Sequence, residues 1–365
     1  LRPGVLASLS CPGNLYTMRV AFLPVYANPY QRLLADGLAL HGVEVEMLPE
    51  LPEASWLQAN RGRVDVIHYH WLYGLYMARF RTPWRVRAFI ERLRLARELG
   101  YRIIWTAHNV MPHRDSLAPL HARIRRLMMA EADAVITHCQ AGRRKLLARF
   151  PRRGPVDVIP IGTYGGVYPV TVGRESARAR LGIDRGAFVY LFLGNIAAYK
   201  GLEHFAAVFR EVAAPDDVAL IAGRDRDARV VARLRRTAAA DRRIRLHAGY
   251  VPDDEMQYFL RAADVMVAPF ARILTSSSVI VGLSYGLPVV APDLGCLPEL
   301  LSNGGGLIYR HKDPKALART LAEAKTLDLE AMSRAAQDTA DALRWDDIAA
   351  QTATVYRRAS GRVQA

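Results

Sequence analysis

Short apolar runs alternate with longer stretches of helical period from residue 18 to about residue 360 of this chain. In the first half, the runs at 18–24, 43–48, 64–69, 101–106, 133–137 and 156–160 predict strands. Residues 30–41, 75–98, 118–131 and 140–149 carry apolar positions at helical spacing. Residues 161–186, with Gly162, Gly165, Gly166, Pro169 and Gly173, show no clear period and read as a linker. The second half repeats the scheme, with strands at 188–193, 217–222, 243–247, 264–268, 287–291 and 307–309. Helices are expected there at 202–213, 227–239, 253–261, 277–285, 314–325, 328–342 and 345–359. Strands this apolar, separated by helices, are buried on both faces of parallel sheets. The expected fold class is α/β, with two Rossmann-like doubly wound domains facing each other across a cleft. Ligands of such sheets bind beyond the carboxyl ends of the strands.

Length agrees, because 365 residues suit two domains better than one core. The expected division is a leader or extension at 1–17, a first domain at 18–165, a linker at 166–186 and a second domain at 187–342, with 343–365 as a closing segment. No run reaches the ~18 apolar residues that a membrane-spanning helix needs. Three cysteines (Cys11, Cys139 and Cys296) lie far apart without metal-ligand spacing and read as reduced thiols of a cytosolic protein.

The loops beyond the second-half strands hold the first candidate chemistry. Thr275-Ser276-Ser277-Ser278 opens an apolar helix after a buried strand. Free amides at such a helix start, with hydroxyls beside them, suit a phosphate. Lys200, in Gly194-Asn195-Ile196-Ala197-Ala198-Tyr199-Lys200-Gly201, adds a positive charge at the same sheet edge. Together they predict a diphosphate-bearing ligand. The first strand runs into Pro24-Val25-Tyr26-Ala27-Asn28-Pro29-Tyr30, whose lack of glycines argues against a dinucleotide cofactor site. Asp225-Arg226-Asp227 sits at a helix start, where a capping role is expected rather than a metal site. No metal and no cofactor are expected.

Charge changes the picture once more. The net charge is +15, and residues 79–153 alone carry 18 Lys and Arg against 5 Asp and Glu. Arg79, Arg81, Arg85 and Arg87 interleave with Phe80 and Trp84, a pattern that suits an anionic membrane surface. Nucleic acid offers a competing use of this charge, but no reading motif accompanies it. The expected location is cytoplasmic, peripheral on the inner face of the cell membrane.

Gly194…Tyr199-Lys200-Gly201, the strand Ala263-Asp264-Val265-Met266-Val267-Ala268-Pro269, Tyr285-Gly286-Leu287-Pro288-Val289-Val290-Ala291 and Gly295…Pro298-Glu299-Leu300 resemble one family in sequence and order. It is the retaining nucleotide-sugar glycosyltransferases of the two-Rossmann (GT-B) fold. The resemblance covers residues 18–360 and is strongest over 188–310. It implies transfer of a hexosyl unit from a UDP- or GDP-sugar to a lipid-linked or glycan hydroxyl. It also implies that the helix from Trp345 returns to the first domain.

The family holds the donor diphosphate with a lysine and an arginine. The lysine carries over to Lys200, whereas the arginine position falls on Asn195, which makes Arg224 the expected replacement. Counting back from Gly286, the family's two glutamates fall on Ile273 and Val281, so donor sugar and ribose need other partners. Gly194, Asn195, Tyr250, Val251, Thr275, Ser276, Ser277 and Ser278 form the expected donor set. The histidine near the transferred sugar corresponds to His108, followed by Asn109. Of the alternating His68 and His70, the latter is nearer the strand end and is the better cleft candidate. His70, Asn109, Tyr26, Asn28 and Tyr30 are the expected acceptor contacts, and His108, Lys200 and Arg224 the catalytic groups. The missing glutamates leave open an inverting enzyme with Asp115 or His108 as base, a non-catalytic relative, or an epimerase on the same fold.

Overall fold

A computed structural model describes residues 17–78, 81–112 and 117–361. The first lobe is a parallel sheet of β1 (Met18–Leu23), β2 (Val43–Met47), β3 (Val66–Tyr69), β4 (Arg102–Thr106), β5 (Ala134–Thr137) and β6 (Val156–Val158), in the order β2-β1-β3-β4-β5-β6. The second contains β7 (Val189–Leu193), β8 (Val218–Gly223), β9 (Ile244–Ala248), β10 (Val265–Val267), β11 (Val289–Pro292) and β12 (Gly306–Tyr309), in the order β12-β11-β10-β7-β8-β9. Both are doubly wound α/β sheets. Every residue of β7 and β8 is buried, because helices cover both faces.

The strand orders place the sites. In the first sheet the chain steps from β1 out to β2 and returns to β3 on the other side of β1. In the second it runs outward through β8 and β9, then returns to β10 beside β7. Each reversal leaves a gap between diverging loops at the carboxyl ends, where a doubly wound sheet binds ligands.

The helix Leu202–Val212 illustrates the packing. Leu202, Phe205, Ala206 and Phe209 recur at helical spacing and are all buried. Each phenylalanine buried there contributes roughly 1.5–3 kcal/mol. Pro215 follows and cannot continue the helix. The last helix, Trp345–Ala359, packs on Pro29–Ala39 of the first lobe, with Ala349 and Ala353 fully buried. Asp346 accepts from His41 at 2.8 Å, and Arg357 donates to the His41 carbonyl at 2.7 Å.

Three expectations need correction. The stretch 75–98 is two helices, Tyr73–Tyr76 and Thr82–Glu98, because Pro83 belongs in a first turn. The segment read as a linker contains the helix Arg174–Arg180. Its buried face is built on Ala177 and Arg178, and Arg178 pairs with Asp264 at 2.8 Å, so no apolar period betrays it. Finally, Cys139 and Cys296 are not free thiols. They form a disulfide between the lobes, their Cα atoms 5.5 Å apart. A separation of 157 residues gave no sign of this pairing. Cys11 and the rest of the expected leader, apart from Thr17, lie outside the described residues.

Candidate functional site

On the second lobe the loops after β7 and β8 pair with each other. Ile196 N–H donates to the Arg224 carbonyl at 2.9 Å, and Arg226 N–H to the Ile196 carbonyl at 3.0 Å. The approach requires glycine: at Gly223, with φ 145°, a Cβ would stand 1.8 Å from the Gly194 carbonyl oxygen. A Cβ on Gly194 would in turn meet Ser278 Oγ at 3.4 Å, so this loop also abuts the serine cluster. Ser276 Oγ and Ser278 Oγ lie 3.1 Å apart. Ser276 precedes the helix Ser277–Ser284 without capping it through its side chain. The amides of that first turn have no side-chain cap among the described residues.

Lys200 is 6% exposed and has no carboxylate partner among the described residues. Its Nζ stands 4.2 Å from the centroid of Phe270 and 5.2 Å from that of Tyr199. Burial pulls its ammonium down from 10.5 to about 8. Arg224 is exposed and lies over the Tyr250 ring at 4.8 Å, while Val251 is buried beside them in sequence. Asn195 is exposed and Thr275 half-buried. Gly194, Lys200, the serines, Arg224 and Tyr250 thus share one edge of the second sheet. Arg226, read from the sequence only as part of a cap, is a further cation there, acting electrostatically on Tyr199. Asp227 does cap the following helix, accepting from Arg229 and Val230 N–H. Ile273 is half-buried and Val281 buried, so neither supplies a polar group.

The facing edge of the first lobe is made of rings. Leu23, Tyr69 and Trp105 lie in register, which brings the residues after β1, β3 and β4 level. His108 stacks on Trp71 at 4.3 Å and meets the Tyr30 ring edge-on at 5.1 Å. His70 Nδ1 lies 3.3 Å from His108 Nε2, and His108 Nδ1 lies 3.0 Å from His138 Nε2. His138 Nδ1 donates to the Ile159 carbonyl at 2.9 Å. His68 does not alternate away from His70 as the sequence predicts: their ring centroids are 4.1 Å apart and both meet Phe22, while its nitrogens lie 2.6 Å from Tyr356 Oη and 2.7 Å from Thr106 Oγ1. Burial holds His68, His70 and His108 well below the ordinary imidazole value and His138 at about 4, so all four are neutral at pH 7. His138 escaped the sequence reading, although it ends β5 as His108 ends β4.

The remaining candidates scatter. Tyr26 is exposed beside Trp71, and Asn28 caps the helix Pro29–Ala39 by accepting from Tyr30 N–H at 2.7 Å. Asn109 is half-buried next to His108. Asp115 and Arg79 lie outside the described residues. Of the membrane set, Arg85 is turned inward, donating to the carbonyls of Gly74 and Leu75, and Arg87 pairs with Glu91 at 2.7 Å. Arg81 stays exposed, as does Trp84 at 73%. No helix among the described residues is long and apolar enough to cross a membrane.

Two sets of contacts join the halves of the chain. Thr163 Oγ1 and Ser284 Oγ are 3.0 Å apart. The Glu299 carboxylate accepts from Gln140 and Ala141 N–H at 2.8 and 2.7 Å, beside the Cys139–Cys296 bond.

Comparison with known proteins adds an independent line. The family model described as "Glycosyl transferases group 1" matches residues 187–325, and "Glycosyltransferase Family 4" matches residues 44–163. The alpha-maltose-1-phosphate synthase of Mycolicibacterium smegmatis is 27% identical over 288 residues, 72% of this chain and 74% of the relative. The D-inositol 3-phosphate glycosyltransferase of Streptomyces avermitilis is 27% identical over 374 residues, 92% of this chain and 73% of the relative. Among solved structures, Anabaena HepE in complex with UDP and glucose superposes with a TM-score of 0.70 at 17% identity, covering 93% of this chain and all of that one. This last likeness shows the fold.

Proposed function

The chain belongs to the GT-B glycosyltransferases, and from that premise we propose a hexosyl transfer from a UDP- or GDP-sugar to a hydroxyl of a lipid-linked or glycan acceptor. The observation that carries the donor half is Lys200, a buried cation without a carboxylate partner among the described residues, beside amides and serine hydroxyls at the strand ends. An ammonium held that way is matched by an anion that arrives with the substrate. HepE, with the same fold, holds UDP.

The leaving group is a nucleoside diphosphate, so the main catalytic demand is to stabilise charge growing on its β-phosphate. Lys200, the first-turn amides at Ser277 and Ser278, and Arg224 meet that demand by preorganised electrostatics. With retention, the departing phosphate takes the acceptor proton and no protein nucleophile is required. With the glutamate positions held by Ile273 and Val281, Thr275, Ser276 and Ser278 contact ribose and sugar in their place. The acceptor lies against Tyr26, Asn109 and the edge of His108 on the first lobe, with Tyr30 and His70 buried behind them. No metal takes part. Arg81 and Trp84 face the anionic inner surface of the cell membrane, where a polyprenyl-linked acceptor resides.

Thermal shift with UDP, GDP, TDP and ADP tests the donor reading, because a ligand of the native state raises apparent stability. UDP or GDP is expected to give the largest shift, reduced by Arg224→Ala. Stabilisation by none of the four would overturn it. Release of nucleoside diphosphate from UDP- or GDP-hexoses, with acceptor present, then tests transfer. Binding without any turnover would identify a non-catalytic relative.

A further inference from the structure

The three imidazoles His70, His108 and His138 form a row whose proton positions are dictated by one backbone group. A carbonyl oxygen only accepts, so the bond from His138 to Ile159 puts the proton on His138 Nδ1. Each ring is neutral and has a single N–H. His138 Nε2 is therefore a lone pair, and the 3.0 Å contact requires His108 to donate from Nδ1. His108 Nε2 becomes the next lone pair, facing His70 Nδ1–H at 3.3 Å. The row ends at His70 Nε2, a buried lone pair with no partner among the described residues.

The anchor is rigid. Ile159 N–H donates to the Thr137 carbonyl at 2.8 Å, which continues the pairing of β5 with β6 and fixes the peptide whose carbonyl His138 reads. Trp71 stacked on His108, and Tyr30 against its edge, fix the ring plane. The last member of the row has one weak bond: the 3.3 Å contact from His70 sits at the long end for a nitrogen donor.

We propose that His138 is a positioning residue, which holds His108 in its Nδ1–H form so that Nε2 serves only as a hydrogen-bond acceptor for a hydroxyl of the sugar substrates. His70 satisfies that lone pair in the empty enzyme and yields it to the stronger hydroxyl donor. The row cannot pass a proton onward, because it terminates on a carbonyl; it orders a lone pair. This inference rests on the reading of His108 as a sugar contact. It assigns His108 the opposite polarity to a proton-donating group.

The test uses the full chain. Glutamine at position 138 can accept through Oε1 and donate through Nε2–H, whereas leucine can do neither. Long-range ¹⁵N spectra of the imidazoles should show His108 with Nδ1 protonated in the parent and in His138→Gln, and a mixed or Nε2–H form in His138→Leu. Transfer by His138→Leu should fall roughly 10- to 100-fold, the loss expected when one partner of a buried hydrogen bond is removed and the other is left unsatisfied. His138→Gln should recover most of it, because the amide restores both the acceptor and the donor. The UDP- or GDP-induced thermal shift should be unchanged in both, because the diphosphate binds the other lobe. An Nε2–H tautomer of His108 in the parent would overturn the inference, as would equal activity in the two variants. If the parent turns over no donor, the functional reading falls, and the parent spectrum alone then decides the fate of the row. That spectrum needs no variant, so a poorly folding His138→Leu leaves the inference open to refutation.

Discussion

Lys200 sits in its socket at a cost that can be worked out and removed. Burial lowers its folded-state value from 10.5 to about 8, and each unit is worth about 1.4 kcal/mol, so the charged side chain costs the empty protein about 3 kcal/mol at neutral pH. Because the folded value lies below the unfolded one, the unfolded chain binds more protons between about pH 8 and 10.5. Stability linked to this group therefore rises with pH across that window, and the full penalty applies below it. Lys200→Met keeps the apolar volume against Phe270 and Tyr199 and discards the charge. At pH 7 the variant should resist denaturant better than the parent, by up to about 3 kcal/mol, with the gap closing as pH passes 8 toward 10.5. Binding should move the other way. UDP or GDP is expected to stabilise the parent and not the variant, and parent affinity should weaken as pH rises above about 8, where the free enzyme must take up a proton to bind. Urea titrations of both proteins at pH 7 and 9.5, each with and without nucleotide, give all four quantities. A variant no more stable than the parent at pH 7, or one that UDP and GDP stabilise as well as the parent, would refute the reasoning.

Two further outcomes follow from the contacts around the gap. Thiol titration of the native, unreduced protein should find Cys139 and Cys296 protected, and Cys139→Ser should lose up to roughly 5 kcal/mol of loop-closure stabilisation, since the bond closes 157 residues; two reactive thiols at these positions would dismiss the cross-link. Gly223→Ala should cost about 3 kcal/mol and weaken nucleotide binding, because its φ is 145° and the new Cβ would strike the Gly194 carbonyl. Gly173→Ala, in open space at φ −77°, is the control, and equal melting temperatures for the two variants would count against the glycine argument.

The central strands were legible because strands buried on both faces must be apolar throughout, as Val218-Ala219-Leu220-Ile221-Ala222 is, while the edge strand Val43–Met47 shows instead the alternation of a half-exposed strand. Once the strands and their order of helices were read, the carboxyl-end loops followed, and with them Lys200, Ser276 and Ser278. What stayed hidden is what one segment owes to another far along the chain. Nothing local marks Glu299 as accepting from Gln140 and Ala141, or Cys139 as the partner of Cys296. Arg178 defeated the pattern differently, by placing a charge on a buried helix face and answering it with Asp264. Arg85 was misread although a signal existed. It lies four residues before Phe89, which itself precedes Leu93 by four, so it falls on the inward stripe of its helix. Interleaved arginines and aromatics conceal that phase.

The two facing edges differ in a way that bears on their division of labour. The second lobe carries Lys200 with no carboxylate partner among the described residues, and Arg224 and Arg226 stand on the neighbouring loop. Ile273 and Val281 occupy the positions where the resembled family has carboxylates, so no acid from those elements neutralises the lysine before a ligand arrives. The first lobe presents rings kept neutral by burial, which neither compete for the diphosphate nor repel the cations opposite. On the proposed reading, a polyanionic donor is held by the cations of the second lobe, with its sugar toward these neutral rings. On that reading, charge rather than the family's paired glutamates orients the donor.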